Sequence, residues 1–362
     1  MSNRNASAVE HNYLVIRADS SARMGTGHIM RCLALAQTWQ DAGKRVMFMM
    51  AMEAPALAAR LTDEGFEVIF QPVEPGSLNG AEKTAALARK MGAAWVVVDG
   101  YHFGAEYQKV IHDAGLCLLF IDDYGHADHY YADLVLNQNI YANDTLYPER
   151  EGYTGLLLGT QFALLRREFK AWRGWQREIP TVARKILVTL GGSDPDNTTL
   201  KVIQALQQLN LPDLEARVVV GPSNVYLDDL RQQLTQTSCN IELLTTVTEM
   251  TTLMSWADLA ISAGGSTSWE LAFMGLPIVS IVLAENQKDI AAGLDAAGMA
   301  INLGWHANIT STDIAHAMLP LIEDEDRRRE MSQRARTIVD GLGAQRVVDL
   351  LGMTLHSKIG AY

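Results

Sequence analysis

The sequence predicts an α/β protein built as two similar halves, each a parallel sheet with helices on both faces. Three observations carry that prediction. Short apolar runs alternate with helical patterns along most of the chain, the alternation falls into two series parted by a stretch of different character from Phe169 to Arg184, and 362 residues are long for a single core. With 48% hydrophobic and 20% charged residues, the composition is that of a globular protein.

The first series opens with the apolar run from Tyr13 to Ile16. It passes Arg17 and Asp19, crosses a small-residue loop carrying Gly25 and Gly27, and becomes helical at Ile29, Leu33, Leu35 and Ala36. Strand and helix then alternate: Val46 to Met50 and Ala56 to Glu64, Val68 to Phe70 and Ala81 to Met91, Trp95 to Val98 and Ala105 to Ala114, then Leu116 to Ile121 and Leu134 to Leu136. The stretch from Phe169 to Arg184 holds two tryptophans, several charges and Pro180 but no strand, and reads as the domain connection. The second series runs Ile186 to Leu190, Leu200 to Leu209, Ala216 to Val220, Tyr226 to Leu234, Ile241 to Leu244 and Leu259 to Ile261. A helix from Thr267, Ile278 to Val282, Ile290 to Ala296 and Met299 to Leu303 complete it.

Charge and composition exclude several classes of function. A net charge of -12 with no basic face argues against a nucleic-acid partner. Cys32, Cys117 and Cys239 are far apart and lack metal-ligand spacing, so neither a disulfide framework nor a zinc site is expected. Residues 1–11 lack the apolar core of a signal peptide, and no stretch approaches the roughly 20 apolar residues of a membrane span. A cytoplasmic monomer with no metal, no cofactor and no membrane contact is expected.

In parallel sheets ligands bind beyond the carboxyl ends of the strands. His28 stands there, at the first turn of a helix, where free N–H groups make an imidazolium unfavourable; it is expected to be neutral and able to take a proton. A structural histidine at a helix start is the plainer alternative, but Arg17, Asp19, Gly27 and Arg31 are more polar chemistry than a cap requires. The same rim receives Asp99 with Tyr101, Asp122 with Asp123, and Asn137 with Asn139. Asp99 alone could be a cap for the next helix, whereas adjacent carboxylates at 122 and 123 imply a binding partner.

The second half carries two glycine pairs directly after strands, at Gly191-Gly192 and Gly264-Gly265. In the latter, the glycines admit a close ligand while Ser266 and Thr267 open a helix, an arrangement suited to a diphosphate. Glu270, one turn on, could accept the hydroxyls of a ribose, although Thr267 and Glu270 also have the spacing of an ordinary capping box. Neither pair belongs to a P-loop, and Gly25-Thr26-Gly27 lacks the third glycine of a dinucleotide fingerprint. Asn286-Gln287, at the next strand end, could meet whatever the diphosphate carries.

These motifs together resemble a family. RxDxSxxxGxGHxxR from Arg17 to Arg31, Asp122-Asp123, LNQNIY from Leu136, LLRREF from Leu164, GGSD from Gly191 and ISAGGSTSWE from Ile261 are similar to the UDP-2,4-diacetamido-2,4,6-trideoxy-β-L-altropyranose hydrolases of pseudaminic acid biosynthesis. The resemblance spans about residues 13 to 350. It implies a GT-B fold of the MurG type, with two Rossmann-like domains at residues 12–176 and 185–345 and a C-terminal segment, 346–362, returning to the first. It implies a UDP-sugar substrate, with UDP on Gly191, Gly192, Gly265, Ser266, Thr267 and Glu270 and uracil near Val247. The sugar would face Arg17, Asp19, Gly27, Arg31, Asp99, Tyr101, Asp122, Asn137, Asn139, Asn286 and Gln287, and the catalytic histidine falls on His28.

UDP is a weakly basic leaving group, so one base that activates water suffices, and direct attack predicts inversion at C1. Arg31 and the N–H groups near Gly265 are expected to steady the diphosphate, and Asp19 to orient His28 or hold the sugar. His102 is an extra imidazole in the Asp-x-Tyr segment with no role assigned. The alternatives are a UDP-sugar glycosyltransferase, a hydrolase for a stereoisomeric UDP-diacetamido sugar, and a non-catalytic nucleotide-sugar binder.

Overall fold

The computed structural model describes residues 13–19, 26–192, 194–221, 224–234, 239–245 and 247–359, with side chains as far as residue 355. Gly25, Ser193, residues 1–11 and the expected domain start at residue 12 lie outside the described residues.

The first sheet has seven parallel strands. Its elements are β1 (Tyr13–Ala18), α1 (Gly27–Asp41), β2 (Arg45–Met50), α2 (Pro55–Asp63), β3 (Glu67–Phe70), α3 (Leu78–Met91), β4 (Ala93–Asp99), α4 (Ala105–Asp113), β5 (Leu118–Ile121), β6 (Leu134–Asn137) and β7 (Gly155–Leu158). The strand order is β3-β2-β1-β4-β5-β6-β7. Side chains alternate across it as the pleat dictates. Leu14 and Ile16 of β1 join Trp39 of α1 on one face, and Val15 joins Val96, Val98 and Tyr107 on the other. Because both faces are covered, β1 is buried nearly throughout and contains no polar residue before Arg17, each large apolar side chain contributing about 1.5–3 kcal/mol.

The second sheet has six parallel strands in the order β10-β9-β8-β11-β12-β13. Its elements are β8 (Lys185–Thr189), α5 (Thr198–Leu209), β9 (Glu215–Val219), α6 (Leu227–Leu234), β10 (Asn240–Leu244), α7 (Met250–Trp256), β11 (Leu259–Ala263), α8 (Thr267–Phe273), β12 (Ile278–Val282), α9 (Lys288–Ala296) and β13 (Ala300–Trp305). Helices α10 (Ser311–Glu323), α11 (Glu325–Ile338) and α12 (Gly343–Ile359) follow. Ile186 and Val188 face one core and Leu187 the other, repeating the two-faced burial of the first sheet.

The last helix belongs to the first core. Val347, Val348 and Leu351 of α12 pack with Leu14 and Trp39, and Trp95 Nε1 donates to the Leu351 carbonyl at 3.1 Å. The two sheets also meet near their carboxyl edges. Gly293 of α9 lies so close to Ile140 that a Cβ there would stand 2.3 Å from Ile140 Cγ2, a contact only glycine admits. Among the described residues, no helix is long and apolar enough to cross a membrane.

Candidate active site between the two sheets

A cleft of about 340 Å³ opens between the carboxyl edges of the two sheets. From the first domain it is lined by Thr26, Gly27, His28 and Arg31 at the start of α1, by Tyr101 after β4, by Asp123 after β5 and by Asn139 after β6. From the second come Gly191 and Gly192 after β8, Gly265 to Thr267 after β11, and Asn286 and Gln287 after β12. The rims nearly touch. A Cβ on Gly27 would lie 3.7 Å from Ser266 Oγ, and one on Gly192 would lie 3.5 Å from Thr26 Oγ1.

His28 is the second residue of α1 and 7% exposed. Its Nδ1 lies 2.7 Å from Asp99 Oδ1, at the last residue of β4. Asp99 is fully buried and also receives Arg31 Nε on Oδ2 at 2.7 Å and Arg31 Nη2 on Oδ1 at 2.6 Å, with the Cys32 thiol donating to Oδ2 at 3.4 Å. Burial pushes the Asp99 carboxyl up, but the Arg31 guanidinium and His28 outweigh it and hold the group well below the usual carboxylate range. Two groups meet His28 Nδ1, the ionised Asp99 Oδ1 at 2.7 Å, which can only accept, and Arg31 Nη2 at 3.2 Å, which can only donate; the shorter contact favours the tautomer protonated on Nδ1 and leaves Nε2 as an acceptor.

Arg31 continues the network. Its Nη1 donates to Asp123 Oδ1 at 2.7 Å, and burial, which disfavours its charge, is overcome by Asp123 and Asp99. Asp123 is likewise pushed up by burial and brought down further by Arg31 and by the Tyr101 hydroxyl, which donates to Oδ2 at 2.6 Å. Tyr101 in turn accepts from Asn286 Nδ2 at 2.7 Å across the cleft, and its ring meets that of His28 edge-on at 4.8 Å. Burial and Asp123 drive the Tyr101 phenol far above its ordinary range, so it stays a donor.

Several expected roles move to neighbouring residues. Asp99 does not cap the next helix, whose N-cap is Gly104; it holds His28. Asp19 does not reach His28: its oxygens take Arg17 Nη1 at 2.7 Å, the Ala51 amide at 2.7 Å and His102 Nε2 at 3.0 Å. Arg17 is fully buried and spent on Asp19 and the Met49 carbonyl, so neither residue lines the cleft. Asp122 folds its own loop, accepting the amides of Asp123, Tyr124 and Gly125 and the Tyr130 hydroxyl, and it is Asp123 that faces the cleft. Asn137 donates to the Asp123 carbonyl and to Tyr147, while Asn139 Nδ2 reaches Asp123 Oδ1 at 2.9 Å from the cleft wall.

On the second domain, Gln287 lines the cleft but its Oε1 accepts the Leu283 amide. No capping box forms at α8. Its N-cap is Ser266 without a side-chain cap bond, and Glu270 is taken by Arg166, Nε to Oε1 at 2.9 Å and Nη2 to Oε2 at 3.1 Å. Glu270 therefore does not line the cleft, and Val247 packs into the adjoining core and does not line it either. Asp123 and Thr26 line the cleft although the motifs alone did not single them out, and Arg166 pairs with Glu270 outside its lining. The Asp-Asp pair and LLRREF contain Asp123 and Arg166, but only the fold says which aspartate faces in.

Comparisons with known proteins agree with this architecture. Residues 186–347 match the glycosyltransferase family 28 C-terminal domain. An uncharacterized protein of Methanocaldococcus jannaschii is 27% identical over 282 residues, 76% of this chain and 57% of that protein, so the match spans little more than half of its length. The spore coat polysaccharide biosynthesis protein SpsG of Bacillus subtilis is 26% identical over 93% of this chain and 96% of its own. The UDP-2,4-diacetamido-2,4,6-trideoxy-beta-L-altropyranose hydrolase of Campylobacter jejuni is 25% identical over 79% of this chain and 97% of its own. The crystal structure of Acinetobacter baumannii MurG superposes with a TM-score of 0.65 over 94% of this chain and 99% of that one, at 17% identity. The chain therefore has the GT-B architecture seen in MurG, two parallel-sheet domains facing a cleft, and its second sheet lies in the segment that is similar to the glycosyltransferase family 28 C-terminal domain.

Proposed function

We propose that this chain cleaves the anomeric C–O bond of a UDP-sugar, with His28 as general base and Asp99 as the group that holds it. The observation that carries the proposal is the buried Asp99–His28 pair at 2.7 Å, placed in a cleft whose opposite wall is glycine loops and a helix start. Such an imidazole can take a proton on Nε2 while Asp99 steadies the cation that forms. The backbone around Gly265, Ser266 and Thr267, with Gly191 and Gly192, is suited to a diphosphate, whose developing charge would be met by amide donors. Arg31 is committed to Asp99 and Asp123, so its part is to hold the base and not to grip the phosphates.

The substrate we infer is UDP-2,4-diacetamido-2,4,6-trideoxy-β-L-altropyranose. The similarity to the C. jejuni hydrolase, which runs over nearly all of that protein, supports this choice. Water attacks C1 on the face opposite UDP and gives a proton to His28 Nε2, while the C1–O bond breaks with its electron pair passing to UDP. The products are UDP and the free sugar, inverted at C1. A second reading, transfer of the sugar to an acceptor hydroxyl by the same base, is favoured by the family 28 C-terminal domain. Asn286 and Tyr101, joined across the cleft, would contact the sugar in either case.

A phosphorus and proton NMR time course with this UDP-sugar and no added acceptor separates the readings. Release of UDP with the inverted free sugar supports hydrolysis. UDP release only after an acceptor is supplied moves the protein to the transferases, and no cleavage under either condition rejects both.

A further inference from the structure

His102 follows Tyr101 in the loop between β4 and α4, and the two side chains point opposite ways. Tyr101 enters the cleft; His102 turns back to Asp19, at the carboxyl end of β1. Asp19 is 1% exposed and anchored twice on Oδ1, by Arg17 Nη1 at 2.7 Å and by the Ala51 amide beyond β2 at 2.7 Å, which leaves Oδ2 for His102 Nε2 at 3.0 Å. Burial works against the Asp19 charge, and His102 and Arg17 more than compensate, keeping it ionised. The other side of His102 is closed as well. Gly76, with φ of 75°, lies against its carbonyl so tightly that a Cβ would stand 2.0 Å from the oxygen, and the Phe103 ring lies 4.0 Å from the imidazole.

We propose, on the strength of the functional reading above, that His102 is a positioning residue for Tyr101. The chain Arg17–Asp19–His102 fixes the loop to three neighbouring strand ends. That anchorage aims the Tyr101 hydroxyl at Asp123 and Asn286, 2.6 and 2.7 Å away, and sets its ring against His28. Without it the loop is still held at Phe103, whose ring is fully buried and whose carbonyl lies 3.1 Å from His126 Nε2, but the residue beside Tyr101 has no side-chain anchor and the Tyr101 hydroxyl loses the fixed direction that makes one group serve both domains.

The test uses the full-length protein carrying tyrosine labelled with 13C at Cζ, the Tyr101 signal being assigned by its absence in Tyr101→Phe. In His102→Phe the Tyr101 signal should shift and kcat for UDP release should fall roughly 10- to 100-fold with UDP affinity unchanged. His102→Gln, whose Nε2 can still donate to Asp19, should restore both readings to near the parent values. In a Tyr101→Phe background, His102→Phe should cost nothing further, because residues acting through one another are not additive. An unmoved Tyr101 signal in His102→Phe, or a full additive loss in the double variant, overturns the proposal. His102→Asn, too short to reach Asp19, gives the same decision should the phenylalanine variant not fold. If the parent protein releases no UDP, the functional reading fails, while the Tyr101 signal still decides the role of His102.

Discussion

On the first domain's rim, the cleft wall is charge that is already paired. Arg31 is held by Asp99 and Asp123, Asp99 holds His28, and Asp123 takes Tyr101. On the second domain's rim, the wall is mostly backbone and small side chains, Gly191, Gly192, Gly265, Ser266 and Thr267, and the nearby carboxylate of Glu270 is withdrawn onto Arg166. A buried charge network is costly to assemble and rigid once assembled, which suits a base that must keep one tautomer. Backbone donors at glycine loops cost little and can donate to any phosphate oxygen of the right geometry. The difference suggests a division of labour, proton transfer on one side and anchorage on the other, and variants on the two sides should separate kcat from KM.

The sharpest break is expected at His28. His28→Ala should lower kcat for UDP release by about 10²- to 10⁴-fold, the range of a lost general base, with UDP affinity by calorimetry unchanged if the nucleotide binds the other wall as proposed. Intact turnover in this variant would sink the mechanism. Asp99→Asn should follow closely in kcat, roughly 10²-fold or more, because an amide can present its N–H to Nδ1 and stabilise the wrong tautomer. It should also melt earlier, by up to about 3 kcal/mol, since Arg31 then keeps only Asp123 as a buried counter-charge. A variant with normal stability and normal kcat would show that the Asp99–His28 pair is incidental.

Glu270→Ala tests the opposite wall, and its effect should be smaller and appear in KM. If a ribose competes with Arg166 for this carboxylate, KM should rise by roughly 1–3 kcal/mol in binding terms with kcat little changed. A fall in kcat at constant KM would place Glu270 with the chemistry instead, and no change in either would remove it from the nucleotide site.

The two walls were not equally legible. Alternation of apolar runs announced both sheets, because strands covered on two faces must be apolar throughout, as in Val96 to Val98. The short run at β7, GLLL, carried too little periodicity to stand out between polar loops. His28 and the Gly264-Gly265 pair could be read because a glycine loop between a strand and a helix fixes where its residues go. Asp99, Asp122 and Asp123 could not be sorted, since which carboxylate faces the cleft depends on the loop conformation after each strand. Asp122 accepts its own loop's amides, and that closure turns Asp123 inward. The Arg166 partner of Glu270 is hidden from the sequence for a similar reason. It is 104 residues away in sequence, and a pairing at that separation leaves no local pattern.

Arg166 supplies the finest test of the contrast, because beside it stands Glu168, a carboxylate with no aligned hydrogen bond. Arg166 Nη1 stands 2.8 Å from Glu168 Oε1, yet neither Glu168 oxygen takes an aligned hydrogen bond. Burial raises the Glu168 carboxyl, Arg166 pulls it down, Glu270 adds to the rise, and the group is pushed up to about 7. A carboxyl raised in the folded state binds its proton more tightly there than in the unfolded chain, so its contribution to stability is full below about pH 4.5 and is lost as pH rises through 7. Glu168→Gln cannot ionise. Between pH 5 and 8 the parent protein should therefore lose about 1–3 kcal/mol relative to this variant, read as a narrowing and then reversing gap in melting temperature. Parallel melting curves across that range would show that Glu168 ionises freely, and that the charge near the second wall is as well paired as that of the first.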